Sequence, residues 1–95
     1  MEPHKFSLGQ VVATPGALEA IANTSGNIVL VSLIRRHGSG DWGELCPEDK
    51  KLNDWAVESG EDRIMSSYKL SNGKVVWLIT EWDRSVTTVL LPEEY

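Results

Sequence analysis

The sequence contains one cysteine, Cys46, no apolar run approaching the ~20 residues of a membrane span, and no excess of basic side chains. A single cysteine forbids an intramolecular disulfide and suits a reducing compartment. The opening MEPHKFSLGQ has no apolar h-region, so no secretory signal is expected and a cytoplasmic location is. Nitrogen and sulfur ligands are confined to His4, His37 and Cys46, without zinc spacing, so no metal is expected. Cys46 stands before Pro47 at a helix start, but no base is spaced to activate it as a nucleophile. P-loop, Rossmann and G-x-S-x-G patterns are missing, so dinucleotide and α/β-hydrolase chemistry drop out and no cofactor is expected.

The formal net charge of −5 is unevenly placed. Residues 41–62 carry eight acids against Lys50 and Lys51, whereas the flanking segments are close to neutral. Phosphate backbones are bound by Lys and Arg that displace counterions, so direct nucleic-acid binding is not expected. A protein partner with a basic surface is.

What is present describes one α+β domain over residues 1–95, a size that buries roughly 60–65% of its unfolded surface. FSLGQVVAT (6–14) is rich in β-branched residues and reads as a short first strand. Thr14 as cap and Pro15 at the first helical position open a short helix, with Leu18, Ile21 and Ala22 on one face and Gly26 as its stop. NIVLVSLIRRHG has the β-branched run of a strand. Its Leu30, Leu33, Ile34 and His37 nevertheless recur at helical spacing, and helix is the preferred reading. Pro47, the acids Glu48 and Asp49, and Gly60 delimit a third helix with Leu52, Trp55 and Ala56 inward.

The last third reads as a three-stranded antiparallel meander. Asn72-Gly73, as a two-residue hairpin turn, sets Tyr68 opposite Trp77 and Ser66 opposite Ile79. A second turn at Trp82–Ser85 pairs Thr80 with Thr87 and Ile79 with Thr88. In that register Val76, Leu78, Val89 and Leu91 form a stripe on the face away from the helices, from which a homodimer is expected.

Candidate chemistry centres on few residues. His37, with Asp41 and Glu44 downstream, suits general acid–base work, or else it complements a helix C-terminus. GDWGEL can be a binding loop in which glycines let a ligand approach around Trp42 and Glu44, or a structural turn anchored by Trp42. In TEWDRSVTT, Glu81, Asp83 and Arg84 can pair across the turn, Trp82 can serve as a contact residue, and Thr88 shares a face with Ser66 and Glu81. The catalytic candidates are thus His37, Asp41, Glu81 and Arg84; the binding candidates are Trp42, Glu44, Trp82, Asp83, Arg84 and Thr88.

GDWGEL, SSY, VWLITEWDRSVTT and the terminal LLPEEY together resemble a group of short bacterial proteins carried on plasmids and other mobile elements. These are catalogued as plasmid-related and sometimes labelled as a type I restriction subunit. The resemblance runs from LGQVVATPGALEA to LLPEEY. The family pattern reads I-T-E-A-D-R-S, and this chain carries Trp82 at the alanine. A mobile-element setting implies a small accessory protein that binds a macromolecular partner, such as an inhibitor of host restriction or CRISPR defence. Two alternatives are a small metal-independent hydrolase or barnase-like ribonuclease using His37, by fold-level analogy, and a structural or regulatory homodimer. A sequence pI near 4.9 disfavours an RNA substrate.

Overall fold

The computed structural model describes residues 4–95, an α+β arrangement of three helices against one four-stranded mixed sheet. In chain order the elements are β1 (Gln10–Ala13), α1 (Pro15–Ala22), α2 (Asn27–Gly38), α3 (Pro47–Ser59), β2 (Ile64–Lys69), β3 (Val75–Thr80) and β4 (Val86–Leu90), followed by a 3₁₀ turn at Pro92–Glu94. The sheet order is β1-β4-β3-β2. The expected meander of β2, β3 and β4 is therefore present, but β1 completes the same sheet by running parallel to β4. Such parallel pairing needs a long crossover, here supplied by the helices and the meander itself.

Local chemistry explains the helix starts. The Thr14 hydroxyl accepts from the Ala17 amide, and Pro15 fills the first turn of α1. Pro47 opens α3, and Gly60, at φ 71°, ends it in the left-handed conformation. The ambiguous segment 27–38 is helical: Leu33 and His37 are buried one turn apart, while the β-branched Ile28 and Val31 stand outward. Two helical faces are rotated from expectation. In α1 the buried residues are Ala17, Ala20 and Ile21, with Leu18 exposed. In α3 they are Asn53 and Ala56, with Leu52 and Trp55 exposed.

The β2–β3 register also differs by one residue. Gly73 donates its amide to the Leu70 carbonyl at 3.0 Å, and Leu70 donates to Lys74 at 2.7 Å. Ser71, Asn72 and Gly73 thus form a three-residue connection with Gly73 at φ 86°, which only glycine adopts readily. A one-residue slip exchanges faces. Tyr68 faces Val76 and Ser66 faces Leu78, whereas Trp77 lies opposite Ser67 on the outer face. The β3–β4 register is as expected, with Thr80 opposite Thr87 and Ile79 opposite Thr88.

The slip corrects the dimer stripe. Val76, Leu78 and Val89 have no exposed surface and join Ala17, Ala20, Ile21, Leu33 and Tyr68 in the main core, with Leu91 packed against it. A smaller cluster of Trp42, Ala56 and Ile64 sits beside it, with Phe6 packed against the cluster. On the outer face Tyr95 packs edge-on against Trp77, with ring centroids 5.9 Å apart.

Candidate functional site

His37 ends α2 inside the molecule. It has no exposed surface, and it meets the rings of Phe6 and Trp42 edge-on. Both of its nitrogens are engaged, and the hydrogen-bond chain settles the tautomer. A carbonyl only accepts, so the Thr87 hydroxyl donates to Leu8 O (2.7 Å). The Thr80 hydroxyl then donates to Thr87 Oγ1 (2.7 Å), and His37 Nε2–H donates to Thr80 Oγ1 (2.9 Å). Nδ1 carries no proton and accepts from the Ser66 hydroxyl at 2.5 Å. Burial, with the His4 charge as a smaller contribution, pushes the imidazole down to about 3, so the ring is neutral near pH 7.

Ser66, His37, Thr80 and Thr87 are all fully buried. Among the described residues, no buried side-chain nitrogen or oxygen lacks a partner. Polar groups under the helices therefore form a closed relay from the N-terminal arm to β2. A general base must reach a substrate proton. His37 has neither surface nor free lone pair to do so. The serine–imidazole pair serves to fasten α2 to β2 and β3.

The GDWGEL segment is a second fastening. Asp41 pairs with Arg36 at 2.8 Å and accepts from the Gly43 amide at 3.1 Å; both contacts hold its carboxyl below the usual range. Arg36 lies over the Tyr68 ring at 4.5 Å, and the Tyr68 hydroxyl donates to the Asp41 carbonyl at 2.5 Å. Trp42 is buried and donates its indole N–H to Asp54 at 2.9 Å. Gly43 passes so close to β2 that a Cβ there would strike the Ser67 carbonyl and the Tyr68 ring. The loop consequently bonds to the β2 edge, with Glu44 N–H to Ser67 O (2.7 Å) and Ser67 N–H to Trp42 O (3.3 Å). Trp42 is thus an anchor with no face to offer a ligand, while Glu44 stays exposed.

Arg84 is the third fastening, and its partners differ from those expected. It pairs with neither Glu81 nor Asp83. Its guanidinium donates to the carbonyls of Asp62 (2.6 Å), Ala56 (2.9 Å), Trp82 (3.1 Å) and Glu81 (3.2 Å), and it lies over Phe6 at 5.9 Å. One cation therefore closes the end of α3, the 60–63 loop and the β3–β4 turn together. Its own backbone has φ 60°, a left-handed value uncommon outside glycine, and its amide closes the turn onto Glu81 O at 2.9 Å. Asp83 accepts from the Ser85 hydroxyl (2.6 Å) and amide (3.0 Å).

The composite site of His37, Asp41, Glu81 and Arg84 does not assemble. His37 lies inside, Asp41 faces Arg36 at the surface, Arg84 is occupied by carbonyls, and Glu81 points to solvent. Thr88 is half-buried on the outer face. What remains accessible near the turn is apolar and acidic. Trp82 is 64% exposed and Trp55 52%, on elements that Arg84 ties together. On the same helix end, 60–63 loop and turn, Glu58, Glu61, Asp62, Glu81 and Asp83 are all exposed. Helical spacing with Leu52 and Ala56 points Trp55 inward, yet it is 52% exposed. Its acidic neighbours Asp54 and Glu58 mark this side of α3 as facing water.

A shallow groove of about 820 Å³ lies elsewhere, along the outer side of α2 between Ile28, Val31 and Arg35. Among the described residues no cluster of His, Cys, Asp and Glu has metal-holding geometry, and no single helix is long and apolar enough to cross a membrane. No protein-family model, no curated protein and no solved structure matches this chain.

Proposed function

We propose that the protein acts by binding a macromolecular partner through the acidic, tryptophan-bearing surface formed by the C-terminal end of α3 and the β3–β4 turn. The observation that carries this reading is that two exposed indoles, Trp55 and Trp82, and five exposed carboxylates lie on the helix end, loop and turn that Arg84 ties together. Indole faces attract ammonium and guanidinium groups, and carboxylates around them strengthen that attraction. Aromatic anchors of this kind dominate interface energetics. The Arg84 clamp fixes the backbone beneath Trp82 before a partner arrives, which lowers the ordering cost of binding. The fitting partner is a protein presenting Lys and Arg. With the mobile-element resemblance, the reading narrows to an inhibitor of a nucleic-acid-handling defence enzyme, whose nucleic-acid cleft is basic by necessity.

Affinity capture from a bacterial lysate tests this directly. The wild-type chain is expected to retain a basic protein at low salt and release it as salt rises. A Trp55→Ala/Trp82→Ala variant, folded as judged by its unfolding midpoint, is expected to retain none. Equal capture by wild type and variant contradicts the proposal.

A further inference from the structure

The two edges of the sheet are treated very differently. The β2 edge is covered at Met65 and Ser67, and exposed Lys69 guards its end. The Asn53 amide pairs with both the carbonyl (2.6 Å) and the N–H (3.2 Å) of Met65, and the Trp42–Glu44 loop takes both backbone groups of Ser67. Among the described residues the β1 edge is open. Gln10 N–H reaches Ser85 O and Thr14 N–H reaches Val89 O, so alternate residues of β1 turn toward β4. Val11 and Ala13 must therefore direct their N–H and C=O groups away from the sheet, and they bond to no described residue. Natural edges are guarded by lysine, proline, bulges or a covering element. Gln10-Val11-Val12-Ala13 has none of these, and Val11 and Val12 are 40% and 39% exposed.

We infer that the β1 edge is a strand-pairing surface whose occupant is a second copy of this chain, joined antiparallel across a two-fold axis. Charge selects that occupant. From Phe6 to Ile34 the sequence carries a single charged side chain, Glu19, so two β1 edges meet without like charges in register. The acidic segment 41–62 includes α3, which lines the opposite edge at β2. Pairing through β1 gives an eight-stranded sheet with the two acidic segments at its far ends. At ~4.8 Å per strand the two β2 strands stand about 34 Å apart, several times the ~8–10 Å screening length. A foreign strand would gain no charge complementarity here. Geometry selects the register. Val11 and Ala13 carry the outward groups, so Val11 pairs with Ala13 of the other copy through two hydrogen bonds, repeated by symmetry. Val12 then sits on the axis facing its own counterpart, in the closer, non-hydrogen-bonded kind of pair. Four residues per copy bury less than the ~1,200–2,000 Å² of a stable interface, so the dimer is concentration-dependent.

Sedimentation equilibrium from roughly 1 μM to roughly 1 mM, a range that brackets micromolar association, tests the inference. The weight-average mass is expected to rise from the 10.5 kDa chain mass toward twice that value. Val12→Lys, which places two ammonium groups face to face on the axis while leaving the core untouched, is expected to keep the chain mass throughout. Hydrogen exchange supplies the second readout. The Val11 and Ala13 amides should gain protection as concentration rises, whereas those of Met65 and Ser67 should be protected at every concentration. A monomer across the whole range overturns the inference. So does a dimer that survives Val12→Lys or leaves the Val11 and Ala13 amides unprotected.

Discussion

Thr80 and Trp82 are two residues apart, yet they sit in opposite environments. Thr80 is fully buried, bonded to His37 and Thr87, and Trp82 is largely in water. The inner end of TEWDRSVTT is closed by complementary donors and acceptors. Its outer end holds a large apolar ring that the described residues leave 64% exposed. A buried polar residue is satisfied or costly, so finding it satisfied identifies a fastening. An exposed indole gains little from folding, so its value lies in contact with something else. His37 belongs to the first kind, and the candidate interface belongs to the second.

The sharpest way to break this contrast is to remove the ring at the centre of the relay. His37→Ala should destabilise the fold by about 3–5 kcal/mol, since it opens a cavity and orphans Ser66 and Thr80 together. Urea unfolding measures this, and a cost near zero would remove the structural reading. Arg84→Ala comes next, at about 1.5–3 kcal/mol, because four carbonyls lose one charged donor.

The pH dependence follows. Below its ordinary value of 6.5, His37 takes up a proton in the unfolded chain, whereas the folded chain resists until about 3. Its contribution is therefore full above 6.5 and is lost as pH falls through that window. Between about pH 7.5 and 5, urea midpoints should report a loss of about 2 kcal/mol, and His37→Gln should remove that loss. The smallest effect belongs outside. Trp82→Ala should change stability by about 0.5 kcal/mol or less while abolishing partner capture. A large stability loss there would erase the distinction between the two ends of the stretch.

Much of the fold was legible because its signals are local. Thr14-Pro15 and Pro47 through Gly60 announce helix ends by capping chemistry, and Thr80 opposite Thr87 follows from the length of the second turn. The β2–β3 register was not legible, because Asn72-Gly73 serves both two- and three-residue connections and the choice shifts every facing pair. The two-residue reading sets Trp77 inward and Val76 and Leu78 outward, and the three-residue connection reverses all three. The parallel pairing of β1 with β4 joins residues far apart in sequence, and no short pattern encodes it. Asn53, read only as part of a helix, turned α3 so that its amide could cap the β2 edge, leaving Leu52 and Trp55 outside. His37 was correctly placed on the inner face of α2. Its partners Ser66, Thr80 and Thr87 became visible only once the sheet was assembled.

The most direct measurement is the ¹⁵N and ¹H titration of His37 by NMR. The expected result is a neutral ring with the proton on Nε2, its N–H slow to exchange, and no midpoint until the pH approaches about 3. A midpoint near the ordinary 6.5, or a proton resident on Nδ1, would contradict the closed relay and return His37 to the list of reactive groups.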